Sequence, residues 1–301
     1  MTFSGNVKNE IATSLLNEIE NRNLLLGYLY VNGDITNRKV SISLENMAVA
    51  RKIFKTLKYS YKMNIDMTIR IQKKFRMKRV FIFEVDDDRG IINSELDNLD
   101  FSDSESMISF IKGVFLAAGS LNDPQKSQYH LELLFNDEEK SKMVLKILNN
   151  LNYNFKMIKR DKGYMLYLKA SEEISDFLKL LGTVNSLFYY EDIRIYRDHK
   201  NMVNRLNNCE QANLEKSLRT SDKQLEIINF LKNNDYFSLL DEKTIQVAEY
   251  RLKYTEESFQ TLADIISSET DKKVSKSYIN HHFRKINEVY DRIMKAPDKE
   301  E

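Results

Sequence analysis

The stretch FIKGVFLAAGSLNDP, Phe110 to Pro124, decides how this chain is read. Its apolar residues recur at helical spacing, and Gly113, Ala117, Ala118 and Gly119 are small where a neighbouring helix would have to come close. Small side chains let two backbones approach, and Asn122-Asp123-Pro124 supplies an abrupt stop. The segment reads as a helix made to touch another helix.

A partner lies upstream in LLLGYLYVNGDI, Leu24 to Ile35. Gly27 with Gly113 and Gly33 with Gly119 share one offset, the mark of an internal repeat. The elements that follow repeat as well. KVSISL (Lys39 to Leu44) and YHLELLF (Tyr129 to Phe135) alternate like strands, and each gives way to helical spacing, over Met47 to Lys58 and Glu138 to Leu151. Hairpin-like pairs come next, Ile65 to Val85 and Tyr153 to Ala170, the second with turn chemistry at Asp161-Lys162-Gly163. A helix over Ser171 to Leu181 closes the second copy. Each unit reads helix, strands, helix, strands, helix, and this order resembles the LAGLIDADG homing-endonuclease fold.

In that family the residue before the last motif glycine is an acidic metal ligand, one from each copy. Metal-assisted phosphodiester cleavage needs such oxygens to hold the ion and lower the pKa of the attacking water. The matching residues here are Asn32 and Ala118, and neither is a carboxylate. Asp34 and Asp123 lie past those positions and read as turn residues. The expectation is a nuclease scaffold without catalytic residues, metal ions or cofactors.

Composition sets further bounds. The chain has 301 residues, 42% of them hydrophobic, enough for two or three domains with real cores. Its 46 basic and 45 acidic side chains nearly cancel, so affinity for nucleic acid has to come from local clustering. Cys209 is the single cysteine, which excludes an intrachain disulfide and reads as a small packed residue in a reducing cytosol. No apolar run is long enough to span a bilayer and no signal-peptide pattern opens the chain, so a soluble, cytoplasmic protein is expected.

Positive charge clusters in IRIQKKFRMKR, Ile69 to Arg79, where Arg70, Lys73, Lys74, Arg76, Lys78 and Arg79 are candidate phosphate contacts in a hairpin. The alternative is a solvated turn. After EDIRIYRD the chain becomes polar and Asn-rich over His199 to Ser217, read as a partly helical connector whose Lys200 and Arg205 are further phosphate candidates.

Beyond it the periodicity is helical. Helices are expected from Ser221 or Asp222 through Leu231, over Asp241 to Leu252, and from Glu257 or Ser258 through Ile266, followed by a longer than minimal turn. On the last helix Ile279, Phe283, Ile286, Tyr290 and Ile293 form one buried stripe. The opposite face presents Ser277, His281 and Arg284, flanked by Asn280 and Lys285, with Lys276 at its start. Such groups read base edges and phosphates, so Ser258 to Asp291 is read as a helix-turn-helix. The bland alternative is a helical hairpin with a polar face. His281 and His282 point about 100° apart on a helix, which argues against metal ligation.

A degenerate LAGLIDADG pair followed by this helix-turn-helix resembles the WhiA family of bacterial regulators. The residues that carry the resemblance are GVFLAAGSLNDPQKSQYHLE (Gly113 to Glu132), RDHKNMVNRLNNCEQANLEKS (Arg197 to Ser217) and SKSYINHHFRKI (Ser275 to Ile286). Where the family's last helix commonly has Gly and Arg, this chain has Tyr278 and His282. The resemblance implies an α+β chain, with a duplicated αββαββα domain that keeps the endonuclease fold without cleavage. It also implies an all-α C-terminal domain similar to sigma-factor region 4 that binds double-stranded DNA.

The boundaries expected are 1–104 and 105–197 for the two halves, 198–219 for the linker, 220–296 for the helix-turn-helix domain and 297–301 for a tail. The family is tied to sporulation gene control in some bacteria and to cell division and chromosome segregation in others. A nucleoid-associated regulator is implied, with regulatory or division proteins as further partners and no membrane or small-molecule substrate. Two alternatives stand beside it: a metal-dependent homing-type endonuclease, and a division-associated protein-interaction scaffold.

Overall fold

The structure, a computed structural model, describes residues 2–36, 38–72 and 78–295. The chain separates into two compact units, Met1–Asp198 and His199–Glu301.

The first unit begins with a helix the sequence reading did not assign, α1 (Phe3–Thr13), capped by the Thr2 hydroxyl, which accepts from Gly5 N. The two copies follow. In the first, α2 (Glu18–Asn32) runs into β1 (Gly33–Thr36) and β2 (Lys39–Leu44), then α3 (Met47–Tyr59), β3 (Ile65–Gln72), β4 (Lys78–Asp86) and α4 (Ile91–Asp97). In the second, α5 (Ser104–Ala118) is followed by β5 (Gly119–Leu121), β6 (Leu131–Phe135), α6 (Glu138–Asn150), β7 (Lys156–Arg160), β8 (Gly163–Leu168) and α7 (Ser171–Leu181). Each copy forms an antiparallel four-stranded sheet, and the strand orders match: β1-β2-β4-β3 and β5-β6-β8-β7. The αββαββα pattern is present twice.

Local chemistry explains the helix ends. Asn17 and Glu20 form a reciprocal capping box at the start of α2, and Asp103 caps α5 through Ser106 N. The two motif helices meet as the repeated glycines demand. A Cβ on Gly27 would lie 2.0 Å from the carbonyl oxygen of Phe110, and one on Gly113 would lie 1.9 Å from that of Leu24. Phe110 and Leu24 each stand three residues before the other glycine, so the contact is reciprocal, as a local twofold requires. Leu24, Leu25 and Leu29 of α2 join Ile111, Val114 and Phe115 of α5 in one core with the inner rows of both sheets, such as Ile42, Phe83, Leu133 and Leu166.

After α7 the chain enters α8 (Val184–Asn233), a single helix of 50 residues. The Asn-rich stretch expected to be a partly helical connector lies wholly inside it, and no new helix opens at Ser221 or Asp222. Neither Gly nor Pro occurs between Val184 and Asn233, so nothing interrupts the hydrogen-bond ladder. Ser221, read as a cap, is instead buried, and its hydroxyl donates to the Thr255 carbonyl. Cys209 is exposed on this helix rather than packed.

The second unit continues with α9 (Glu242–Lys253), α10 (Phe259–Thr270) and α11 (Lys276–Lys295). α10 runs one turn past the expected Ile266, to Thr270, with the hydroxyls of Ser267 and Thr270 donating back to the Ala263 and Ile266 carbonyls. The turn between α10 and α11 is therefore Asp271 to Ser275, opening with Asp271 at φ 54°. Ile228, Leu231, Val247, Leu262, Ile266, Ile279, Phe283 and Ile286 form this unit's core.

Candidate nucleic-acid interface

α11 begins where Ser275 accepts from Tyr278 N at 3.2 Å. Ile279, His282, Phe283 and Ile286 face the core. That leaves Lys276, Ser277, Asn280, His281 and Arg284 exposed on the first three turns, with no acidic side chain until Glu288. The face is polar and cationic, and its hydroxyl, amide, imidazole and guanidinium groups suit base edges and phosphates.

Lys285 differs from the others. Its Nζ lies 2.7 Å from Oδ2 of Asp241 at the start of α9, with both side chains part exposed. The ammonium, together with the N–H and hydroxyl of Thr244, holds the Asp241 carboxyl well below the usual carboxylate range. A nucleic-acid phosphate would have to compete with this partner, which the sequence around Lys285 does not reveal.

His282 also takes a part the sequence did not assign. It is 4% exposed, and its Nδ1 lies 2.7 Å from Thr244 Oγ1. Burial pushes its pKa below the ordinary imidazole value. The signal was present, since His282 sits between the core residues Ile279 and Phe283 and Ile286, but its partner on α9 is 38 residues away.

The duplicated domain places its candidates less favourably. Lys73, Lys74 and Arg76 lie outside the described residues, as does the Lys78 side chain. Arg70 pairs across the sheet with Val80, and Ile71 with Arg79. Because neighbours along a strand point to opposite faces, Arg70 and Arg79 project on opposite sides of the sheet. They do not form one patch. Lys200 and Arg205 are exposed on α8.

The open face of the first sheet carries a row of carboxylates. Cross-strand partners share a face, and the register puts Asp34, Ser41, Glu84 and Asp66 in one row over β1, β2, β4 and β3. Three carboxylates stand where a DNA backbone lying across the sheet would pass, with Arg70 on the same face. The same register puts Lys39 on this face opposite Asp86, with Nζ 3.8 Å from Oδ1, so the face carries both signs of charge.

At the paired helix ends, Asn32 Nδ2 donates to the Tyr28 hydroxyl at 3.4 Å, and Ala118 is the last residue of α5. Asp123 is held in its turn: it accepts from Gln125 N at 3.0 Å and from the Tyr189 hydroxyl at 3.1 Å, and pairs with Lys126. Asp34 is exposed within β1 rather than in a turn. Among the described residues no helix is long and apolar enough to cross a membrane.

Comparison with known proteins covers nearly the whole chain. Residues 18–101 match the model of the WhiA N-terminal LAGLIDADG-like domain, 107–200 the WhiA LAGLIDADG-like domain and 203–290 the WhiA C-terminal HTH domain. A protein of Enterococcus faecalis named probable cell division protein WhiA is 35% identical, over 97% of this chain and 98% of its own. One of the same name from Staphylococcus aureus is 33% identical, over 97% and 98%. The crystal structure of full-length WhiA from Thermotoga maritima superposes with a TM-score of 0.61 at 26% identity, over 97% of this chain and 99% of that one.

Proposed function

Because the chain belongs to the WhiA family, we propose that it is a non-enzymatic regulator that binds double-stranded DNA through the exposed face of α11. The observation that carries this reading is the placement of Lys276, Ser277, Asn280, His281 and Arg284 on one exposed, acid-free face whose other side is packed in the core. Relatives bearing the name probable cell division protein support a role in division. Control of transcription, a part in chromosome segregation and association with the cytoplasmic nucleoid are the finer elements of the proposal.

The duplicated domain serves as scaffold in this reading. Asn32 and Ala118 at the helix ends offer no carboxylate to hold a catalytic metal. The test is joint binding and cleavage of genomic fragments from the host, titrated with salt, with and without magnesium. Selective, salt-sensitive retention of intact DNA supports the reading. Magnesium-dependent nicking that survives Asn32→Ala and vanishes in Asp34→Ala replaces it with an endonuclease.

A second reading, a protein-interaction scaffold, has one observation in its favour. Met67, Ile69 and Ile71 are about half exposed on the α3 side of β3 and line a groove of about 730 Å³. If this reading is right, charged substitutions in that groove disturb division more than Arg284→Ala.

A further inference from the structure

The Asn-rich motif on α8 has so far no role, although its C-terminal end faces the DNA-reading helices. Lys216, Thr220 and Gln224 recur at a spacing of four and lie on one side of α8. They share a cavity of about 250 Å³ with Arg251 of α9, with Ser258, which caps α10, and with Lys276, the first residue of α11. Three cations line this cavity and no acidic residue does.

Arg251 is the unusual member. It is 2% exposed, yet none of the described carboxylates lies within ion-pair distance of it. Its Nη1 donates to the carbonyls of Tyr254, Thr255 and Glu257, at 3.3, 3.4 and 2.6 Å, and its guanidinium carbon lies 5.5 and 5.8 Å from the ring centres of Phe259 and Phe283. Nε has no hydrogen-bond partner, and neither has Oε1 of Gln224, which is 8% exposed. A buried cation with no carboxylate in contact is costly, and only the carbonyls, the ring faces and the more distant charge of Glu257 offset its field. The first N–H groups of α10 have no intrahelical acceptor and add positive potential at the same place. An anion would relieve the cations and the free N–H donors together, and Gln224 can meet it only through the NH₂ of its amide.

We infer that this cavity binds one backbone phosphate of the duplex that α11 reads, with Lys216 and Lys276 as its charged clamp. The inference rests on the DNA-binding reading above. Lys276 points to duplex DNA as the source of the phosphate, since it both walls the cavity and begins the helix whose Asn280 lies about 6 Å further along the axis. A phosphate bound here fixes the register of α11 on the duplex without reading sequence. It gives the motif on α8 its task.

The experiment compares full-length wild type, Lys216→Ala, Lys216→Arg and Arg284→Ala on a selected genomic fragment and on a scrambled duplex, over a series of salt concentrations. Lys216 is exposed, and an unchanged melting temperature controls for folding. Lys216→Ala is expected to weaken both duplexes by the same factor and to reduce the slope of log K against log salt by about 1, leaving sequence preference intact. Lys216→Arg keeps the slope, and Arg284→Ala loses preference instead. If wild type and Arg284→Ala behave so but Lys216→Ala keeps the full slope, the phosphate site falls and the DNA-binding reading stands. If wild type binds neither duplex, that reading falls too. Inorganic phosphate titrated by NMR supplies the last arm: Lys216-dependent binding of it, with an unchanged DNA slope, overturns the assignment to DNA in favour of a free phosphorylated ligand.

Discussion

The Thr244 hydroxyl lies 2.7 Å from Nδ1 of His282, and the same hydroxyl meets Oδ1 of Asp241 at 2.9 Å. Three polar groups thus tie the first turn of α9 to the middle of α11, next to the face proposed to meet DNA. Burial holds the His282 pKa below its unfolded value, so the unfolded chain binds more protons in that range. The contribution to stability is present above the unfolded pKa of about 6.5 and is lost as pH falls through it toward the folded value. Scanning calorimetry between pH of about 7.5 and about 5.5 should show the second unit's transition falling with acidification, and His282→Gln should flatten that dependence.

Removing the hydroxyl tests the same link from the other side. Thr244→Val leaves His282 Nδ1 without its partner and removes one of the two bonds Thr244 makes to Asp241 Oδ1, and should cost about 1–3 kcal/mol in denaturant unfolding. Thr244→Ser, which keeps the hydroxyl, should cost much less.

Gly113→Ala sets two effects against each other. In an open helix interior, alanine would stabilise by roughly 1 kcal/mol. Here its Cβ would fall 1.9 Å from the Leu24 carbonyl oxygen, so the backbones must separate and α2 with α5 must repack. Overpacking wins: a loss of about 3 kcal/mol is expected, and Gly27→Ala should match it because the contact is reciprocal.

Glu10 caps α8 from 175 residues away. Its carboxylate accepts from the N–H groups of Asn185 and Ser186, at 2.7 and 3.1 Å, and from the Ser186 hydroxyl at 2.8 Å. Glu10→Ala should lower the stability of the first unit by about 1–2 kcal/mol, and Glu10→Gln, which keeps an acceptor, should recover part of it.

Arg284→Ala and His281→Ala should each weaken specific DNA binding by about 1–3 kcal/mol without changing the melting temperature, since both side chains are exposed. Lys285→Ala should do less, because Asp241 already occupies that ammonium. Asp241→Asn frees Lys285 and should raise affinity for any duplex; gel-shift titrations of the four variants separate these outcomes.

Much of this was legible in the order of residues. The repeat of Gly27 and Gly113, the αββαββα pattern, and the stripe of Ile279, Phe283 and Ile286 all depend on periodicities within a few turns or strands, and such patterns are local. The two-residue turn at Asp161-Lys162, with Gly163 at φ 124°, was readable for the same reason.

What the tertiary structure decided involves partners distant in the chain. Strand register separates Arg70 from Arg79 and gathers Asp34, Glu84 and Asp66 into a row, because pairing, unlike composition, fixes which residues share a face. Packing makes His282 a buried link to Thr244 and leaves Arg251 Nε without a hydrogen-bond partner. It also gives Lys285 to Asp241. The sequence by itself determined the elements and the face of α11; which of that helix's polar groups remain free for DNA was settled only by α9 folding against it, since a charge is free or engaged according to neighbours that lie elsewhere in the sequence.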